Sequence, residues 1–155
     1  MKSEFRSQSV VSNFLDVVGD KWSLIIIRDL FLQRNTFSQL LKGSGENIST
    51  NILTDRLKKL KKYDIINHVK DRNDKKVKHY YLTDKGVELR NVIFEMALWS
   101  AQHLNQKDEH SQIFIQKTKK TPKEQMIMEG KLSYVNKREA LLNYHNAIET
   151  HEIDF

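Results

Sequence analysis

The residues of this sequence whose types and spacing most clearly suit binding are the cationic side chains between residues 34 and 90. This segment holds fourteen Lys and Arg against seven Asp and Glu, whereas residues 1–33 hold four of each and residues 91–155 hold eight against nine. The net charges are therefore +7, 0 and −1, in a chain of 155 residues with a total of +6. Such a concentration favours binding of a polyanion such as nucleic acid. A solvated, lysine-rich surface would give the same counts, so charge alone leaves both interpretations open.

Short hydrogen-bonding side chains lie just before the densest lysine cluster. Asn can form a bidentate contact with adenine, and Thr or Asp can form single hydrogen bonds with base edges, whereas Lys and Arg contact phosphates without reading sequence. The predicted base contacts are Thr50, Asn51, Thr54 and Asp55. The predicted phosphate contacts are Lys42, Ser49, Arg56, Lys58, Lys59, Lys62, Arg72, Lys75 and Lys76. Two of these residues have a structural alternative, because Ser49 could serve only as a helix cap and Arg56 could form an ion pair within the fold.

Other chemistries find little support. The chain has no cysteine, which excludes disulfides, thiolate nucleophiles, Cys-ligated zinc and thiol redox sensing. None of the six histidines shows the i, i+4 spacing of a helical zinc pair, so the sequence predicts no metal site. The glycines at 43 and 45 form too short a loop to hold a phosphate, and no Ser/His/Asp arrangement suggests a catalytic site. We therefore predict a protein that is not an enzyme and needs no cofactor.

The segments before residue 49 have helical periodicity. Residues 9–18 place apolar side chains on one face, and Gly19 ends this short helix. Asp20 can cap a second helix from Lys21 to about Gln33, whose nearly continuous apolar surface belongs at the centre of a core. Thr36 begins a T-x-x-Q capping box, which predicts a third, short helix through Leu41.

A longer basic helix follows a glycine-containing turn. Ser49 can cap this helix, which runs from Thr50 to about Lys62 and places Leu53, Leu57 and Leu60 on one face. Its polar and cationic residues lie broadly opposite these leucines. Short helix, turn and longer basic helix is the order of a helix-turn-helix.

A β-hairpin with a charged tip is predicted next. Residues 65–69 and 77–82 read as two strands joined by the polar turn 70–76. The basic residues of this hairpin would lie beside the basic helix, as in a wing that follows DNA phosphates next to a helix in the major groove.

The rest of the chain is predicted to be mostly helical. Thr83 can cap a long helix from Asp84 to about Asn105, which has more apolar surface than one core contact needs. That excess could form a dimer interface, or the C-terminal residues of the same chain could cover it. Beyond it, we predict a short strand over residues 111–116 and a short helix up to Met128, with Thr121 as its N-cap and Pro122 as its first residue. A last helix is predicted from Asn136 to about Thr150.

Four segments together resemble the HxlR-type winged helix-turn-helix regulators. Residues 19–30 (GDKWSLIIIRDL) resemble the family pattern G-x-[KR]-W-[ST]-L-x-I-L-R-x-L, and residues 36–40 (TFSQL) resemble [RT]-F-x-E-L. Residues 48–60 resemble I-S-x-x-x-L-x-x-R-L-x-x-L, and residues 79–86 (HYYLTDKG) resemble Y-x-L-T-x-x-G. The resemblance runs from about residue 10 to 104, with the segments in the expected order and spacing.

The resemblance implies a bacterial transcription regulator that acts as a homodimer through its terminal helices. Many members carry a cysteine at the start of the first helix, but this chain has Ser9 there, so that sensing chemistry is excluded. The residues after 105 also extend beyond the family core. We expect a mainly α (α+β) fold, with a winged helix-turn-helix DNA-binding domain over residues 1–105 and a mostly helical extension over 106–155.

The expected function is sequence-specific regulation of transcription, as a repressor bound to double-stranded DNA. A helix over residues 49–62 would lie in the major groove and a wing over 70–78 would contact phosphates. We expect cytoplasmic localisation, no membrane association and an unidentified small-molecule effector. The alternative is a ligand- or protein-binding module in the extension, built on Met126, Met128, Tyr134 and Tyr144, with only weak, non-specific DNA binding.

Overall fold

The computed structural model describes residues 5–104 and 107–147. Within these ranges the elements are α1 (Val10–Val18), α2 (Lys21–Phe31), α3 (Phe37–Lys42), α4 (Thr50–Lys62), β1 (Ile66–Lys70), β2 (Lys78–Leu82), α5 (Asp84–Val87), α6 (Arg90–His103), α7 (Glu109–Lys120) and α8 (Lys123–Asn146). The expected winged helix-turn-helix, with a helical C-terminal extension, is confirmed.

The predicted caps begin helices α2, α3 and α4. The Asp20 carboxylate accepts the backbone N–H of Ser23 at 2.9 Å and starts α2. Thr36 and Gln39 form the complete capping box of α3, in which each side chain accepts from the other residue's backbone. The hydroxyl of Ser49 accepts the backbone N–H of Ile52 at the start of α4. These side chains satisfy donors that a helix cannot pair internally, which is why the helices begin where they do.

The core is centred on α2 and α4. Ile26, Ile27 and Leu30 of α2 are almost completely buried, as predicted from the apolar character of that helix. Leu53 and Leu60 of α4 are also inaccessible to solvent, and Leu57 is nearly so. Burial of each such side chain contributes roughly 1.5–3 kcal/mol relative to exposure, so these contacts fix the orientation of α4 on the core.

The predicted hairpin is also confirmed. Strands β1 and β2 pair antiparallel, with Ile66 opposite Leu82 and Lys70 opposite Lys78. On the outer edge of β2, the backbone N–H of Tyr80 donates to the carbonyl of Asn35 at 2.7 Å. This contact joins the wing to the segment that precedes α3.

The long helix expected from Asp84 onward is interrupted. It consists of α5 and α6, separated by Glu88 and Leu89. A Cβ atom at Gly86 would lie 2.1 Å from the carbonyl oxygen of Ile65, so α5 approaches the sheet more closely than any other residue would allow. Helix α5 contacts β2 and α8, whereas α6 contacts α7 and α8. The expected end of the long helix at Asn105 lies outside the described residues.

The strand expected over residues 111–116 is wrong, because these residues belong to α7. The Asp108 carboxylate accepts the backbone N–H of Ser111 at 2.9 Å and caps this helix. Phe114 then packs against Phe94 of α6, with ring centroids 5.3 Å apart. A strand in this position would need a partner edge for its backbone, whereas a helix satisfies its backbone internally.

The two short C-terminal helices are one helix, α8. It begins at Lys123 after Pro122, and Thr121, the predicted N-cap, instead ends α7. We expected the residues between Met128 and Asn136 to separate two helices. They are helical instead, and Tyr134 among them is buried in the core. The Tyr134 ring packs on Phe31, with centroids 5.1 Å apart. The expected end of the last helix at Thr150 lies outside the described residues.

Helix α8 also covers the outer edge of β2 at Leu82, the last residue of that strand. The backbone N–H of Leu82 donates to the hydroxyl of Tyr134 at 2.7 Å, and its carbonyl accepts from the Arg138 guanidinium at 3.0 Å. Both polar backbone atoms of Leu82 are thus paired by side chains of the extension.

The apolar excess on α6 is covered only in part. Helices α7 and α8 contact α6, yet Met96, Trp99 and Leu104 remain exposed. The C-terminal residues therefore cover part of this surface, and a dimer interface over the exposed part stays a prediction. Among the described residues, no helix combines the length and apolar character needed to cross a membrane.

Candidate nucleic-acid interface

The N-terminal half of α4 presents a row of polar side chains to solvent. Thr50, Asn51, Thr54 and Asp55, the four predicted base contacts, are all exposed. Asn51 and Asp55 occupy the face opposite Leu53 and Leu57, which the core holds, and Thr54 lies beside that face. Thr50 is on the side of Leu57, seven residues later, and is exposed in the first turn of the helix. These side chains are therefore available to a groove that the helix could enter.

Ser49 and Arg56 both have structural partners. The Ser49 hydroxyl caps α4, as its structural alternative predicted. The Arg56 Nε atom donates to Asp20 Oδ1 at 2.8 Å, and its guanidinium also pairs with Asp55. Arg56 thus lies in an ion pair that ties α4 to the start of α2, and its contact with phosphate stays a prediction.

Asp20 links the two helices through several contacts. Besides capping α2 and pairing with Arg56, it lies 3.6 Å from the Nζ atom of Lys59. Burial disfavours its charged form, but hydrogen bonds from Ser23 and Arg56 outweigh this effect and hold the pKa of Asp20 well below its usual range. The sequence predicts that Asp20 caps a helix. Its ion pair with Arg56 could not be predicted, because it depends on how α4 packs beside α2.

The remaining predicted phosphate contacts of the helical region form a cationic rim. Lys42, Lys58 and Lys62 are exposed, whereas Lys59 is half-buried beside Asp20. Lysines at the C-terminal end of α4 also interact favourably with the helix dipole.

A cleft of about 230 Å³ lies between α4 and the wing. Lys61 and Lys78 line its two sides, and the Lys61 Nζ atom lies 3.2 Å from Nδ1 of His68. Burial and the neighbouring lysines lower the pKa of His68. Neither Lys61 nor His68 was among the predicted contacts. The sequence predicts α4 and the wing separately. The cleft between them could be found only from the way in which they pack together.

The wing tip is a tight turn held by Asp71. The Asp71 Oδ1 atom accepts the backbone N–H groups of Asn73 and Asp74 at 2.8 and 3.0 Å. Lys75 and Lys76, two predicted phosphate contacts, project from this turn and are exposed.

Arg72, the third predicted contact of the wing, touches the C-terminal helix. Its backbone N–H donates to Nδ1 of His145 at 2.9 Å, and its guanidinium lies over the ring of Tyr144, 5.1 Å from the centroid. Sequence reasoning missed both partners, because nothing local to α8 indicates that its end reaches the wing.

The four residues considered for a pocket in the extension have different surroundings. Tyr134 is buried against the core, Met126 is half-buried, and Met128 and Tyr144 are exposed. A cavity of about 330 Å³ lies instead between α2 and α6, lined mainly by apolar side chains such as Leu24, Ile93 and Met96.

Comparison with known proteins gives consistent matches. Residues 17–108 match the family model described as HxlR-like helix-turn-helix. The chain is 29% identical over 104 residues to an uncharacterized HTH-type transcriptional regulator of Mycobacterium bovis, a match that covers 67% of this chain and 64% of that protein. The chain thus spans just under two thirds of the length of this relative.

Similarity extends to solved structures. YtcD of Bacillus subtilis, an uncharacterized HTH-type transcriptional regulator, is 29% identical over 91 residues, which are 59% of this chain and 71% of YtcD. Its crystal structure superposes with a TM-score of 0.56 at 30% identity, over 63% of this chain and 99% of that one. The redox regulator HypR in its oxidized form superposes with a TM-score of 0.54 at 25% identity, over 61% and 97% of the two chains.

Proposed function

The chain belongs to the HxlR-like helix-turn-helix family of transcriptional regulators, and from this premise we propose that it is a sequence-specific repressor that binds double-stranded DNA as a homodimer. In this proposal α4 enters the major groove, and the wing, residues 70–78, follows the phosphate backbone.

The observation that carries the proposal is the exposed polar row on α4 beside a cationic cleft. Thr50, Asn51, Thr54 and Asp55 are exposed where a helix in the major groove meets base edges, and Asn51 is suited to adenine. The same face continues into the exposed Lys58 and Lys62, which would contact phosphate. Base-reading and phosphate-contacting groups thus share one surface.

Homodimer formation is supported by apolar side chains at the two ends of the family core. Val10, Val11 and Leu15 of α1 and Trp99 and Leu104 of α6 are all more than half exposed. A monomer gains nothing from presenting large apolar groups to water, whereas a two-fold dimer buries the same set twice. A dimer of this kind should bind two half-sites about one helical turn apart, roughly 34–36 Å between recognition helices.

Repression by occlusion needs no surface beyond the DNA-binding and dimer surfaces. We also propose that the chain is divided into a DNA-binding domain, residues 1–105, and an extension, residues 106–155, which contacts the wing through α8.

A small-molecule effector would suit the apolar cavity between α2 and α6. Because this chain has no cysteine, a thiol signal cannot act on it. We place the protein in the cytoplasm, where its DNA target would be.

Selection of bound sequences from random double-stranded DNA tests the proposal. The purified protein should enrich a palindromic motif whose half-sites are about 10–10.5 base pairs apart. In transcription from a promoter that carries this motif, added protein should then reduce the transcript in a dose-dependent way.

Failure to enrich any motif would contradict sequence-specific regulation by this chain. It would favour the second candidate function, a ligand- or protein-binding module in the extension. An enriched motif without two-fold symmetry would contradict the homodimer, and increased transcription would contradict repression.

A further inference from the structure

Three metal-binding side chains from three separate segments meet at the junction of the wing and α8. They are Asp71 of the wing turn, His79 of β2 and His145 near the end of α8. One ligand atom from each lies within 4.8 Å of those of the other two. Two imidazoles and a carboxylate form a donor set that suits borderline transition metals such as Zn²⁺.

His79 is already oriented as a metal ligand. Its Nδ1 atom lies 3.2 Å from Asn35 Oδ1, and its Nε2 atom lies 2.8 Å from Asp71 Oδ2. Because Asn35 Oδ1 accepts, Nδ1 carries a proton, and Nε2 faces the carboxylate. A second hydrogen-bonded group that fixes the other ring nitrogen is the usual support of a metal-bound histidine. The position between Nε2 and Oδ2 takes either a proton or a cation.

Asp71 is held in place from its other side. Its Oδ1 atom accepts two backbone N–H groups of the turn, so Oδ2 is left to face His79. The carboxylate is thus fixed by the turn with one oxygen turned toward the other two side chains.

His145 completes the group from α8. Its ring stacks on His79, with centroids 4.4 Å apart and an interplanar angle of 27°. The Nδ1 atom accepts the backbone N–H of Arg72, so Nδ1 carries the lone pair of the neutral ring. A metal ion at this atom would replace the N–H of Arg72.

We propose that Asp71, His79 and His145 bind one divalent transition-metal ion of the Zn²⁺ class, which clasps the end of α8 to the wing. Water supplies the fourth ligand. Ligand atoms around tetrahedral zinc lie about 3.3 Å apart, and an imidazole lone pair lies in its ring plane. Zinc binding therefore requires the stacked rings of His79 and His145 to turn apart, so that the donors, now within 4.8 Å of one another, converge on one ion. The cationic neighbours Arg72 and Lys75 disfavour weakly held hard cations, so the site should not retain Mg²⁺ or Ca²⁺.

Metal titration of the tag-free protein tests this site without DNA. Zn²⁺ alone should bind with a stoichiometry of one per chain by isothermal titration calorimetry, and Co²⁺ should give the absorption of a four-coordinate site with nitrogen and oxygen ligands. His79→Gln and His145→Gln should each weaken zinc binding at least about 100-fold, and Asn35→Ala, which removes the supporting group of His79, about 10- to 100-fold. The matched control is His110→Gln, an exposed histidine on α7, which should bind zinc as the unchanged protein does.

Several results would overturn the proposal. They are absence of one-to-one zinc binding, equal zinc binding by the His79 and His145 variants and the unchanged protein, or loss of binding in the His110 control. Circular dichroism of each variant shows whether it is folded. Zinc should also raise the melting temperature of the unchanged protein and of the His110 variant but not of His145→Gln, because a ligand stabilises only the fold that binds it. DNA binding is measured separately, so failure of the metal site would leave the proposed function standing.

Discussion

Helix α4, the proposed recognition helix, and the wing are held in opposite ways. Helix α4 is anchored from beneath by Leu53, Leu57 and Leu60 in the core and by the Asp20 to Arg56 ion pair, while its outer face is free. The wing tip is held from outside, where α8 contacts Arg72.

This difference separates two properties of DNA binding. The groups proposed to read bases lie on a helix that is anchored by Leu53, Leu57, Leu60 and the Asp20 to Arg56 ion pair, all within the family core. A group proposed to contact phosphate shares its position with residues of α8. The extension should therefore affect how tightly DNA is bound and leave the preferred sequence unchanged.

The largest expected effect comes from removing the anchor of α4. Leu53→Ala should lower the free energy of unfolding by about 2–5 kcal/mol, because it leaves a cavity under the helix. Urea unfolding followed by circular dichroism measures the change. Leu132→Ala, at an exposed position on α8, is the control and should change stability by less than about 0.5 kcal/mol. A loss below about 1 kcal/mol for Leu53→Ala would show that the core does not fix α4.

Asn51→Ala tests the role of α4 in reading bases. Affinity for the enriched motif should fall by about 1–3 kcal/mol, or about 5- to 150-fold, while affinity for random DNA stays the same. Binding isotherms on both DNAs measure this difference. The control is Asn91→Ala, an exposed asparagine on α6, which should leave both affinities unchanged. Equal losses on the two DNAs would remove Asn51 from base recognition.

Arg72→Ala tests the wing in the same assay. It should weaken binding to motif and random DNA equally and reduce the slope of log affinity against log salt by about 0.9, the contribution of one phosphate contact. Lys137→Ala, an exposed cation on α8, provides the control and should keep the slope. A loss confined to the motif would assign Arg72 to sequence recognition, a role that the wing would then share with α4.

The smallest expected effect concerns the hold of α8 on Arg72. Tyr144→Leu removes the aromatic ring under the guanidinium, a contact of about 0.5–1 kcal/mol at exposed sites. The freed side chain should then raise affinity for random DNA about 2- to 5-fold, without a change in motif. Adding Arg72→Ala to this variant should cancel the gain. Unchanged or weaker binding by Tyr144→Leu would show that α8 does not compete with DNA for Arg72.

The fold from α1 to β2 could be predicted because its signals are local. The caps Asp20, Thr36 and Ser49 begin helices within a few residues of themselves, and the leucines of α4 repeat along one face. The same periodicity predicts which side of α4 is exposed. Short-range hydrogen bonding and helical spacing are sufficient for these features.

The extension could not be predicted in detail because distant contacts decide it. The segment 111–116 has strand-like composition, but Phe114 meets Phe94 and no strand edge. Burial of Tyr134 in the core accompanies a continuous α8, where the sequence predicts two helices separated by a non-helical segment. At the candidate metal site, Arg72 and His145 are hydrogen-bonded across 73 positions of sequence. Histidine spacing within one helix has no bearing on such a site.

The pairing of Leu82 by Tyr134 and Arg138 has a consequence for solubility. A small sheet whose outer strand ends with free N–H and C=O groups can add a strand from another chain, which is a route to aggregation. Here the tyrosine hydroxyl and the guanidinium occupy those two groups. The extension thus blocks the addition of a strand from another chain at this end of the β2 edge. This effect is independent of any influence of the extension on DNA binding.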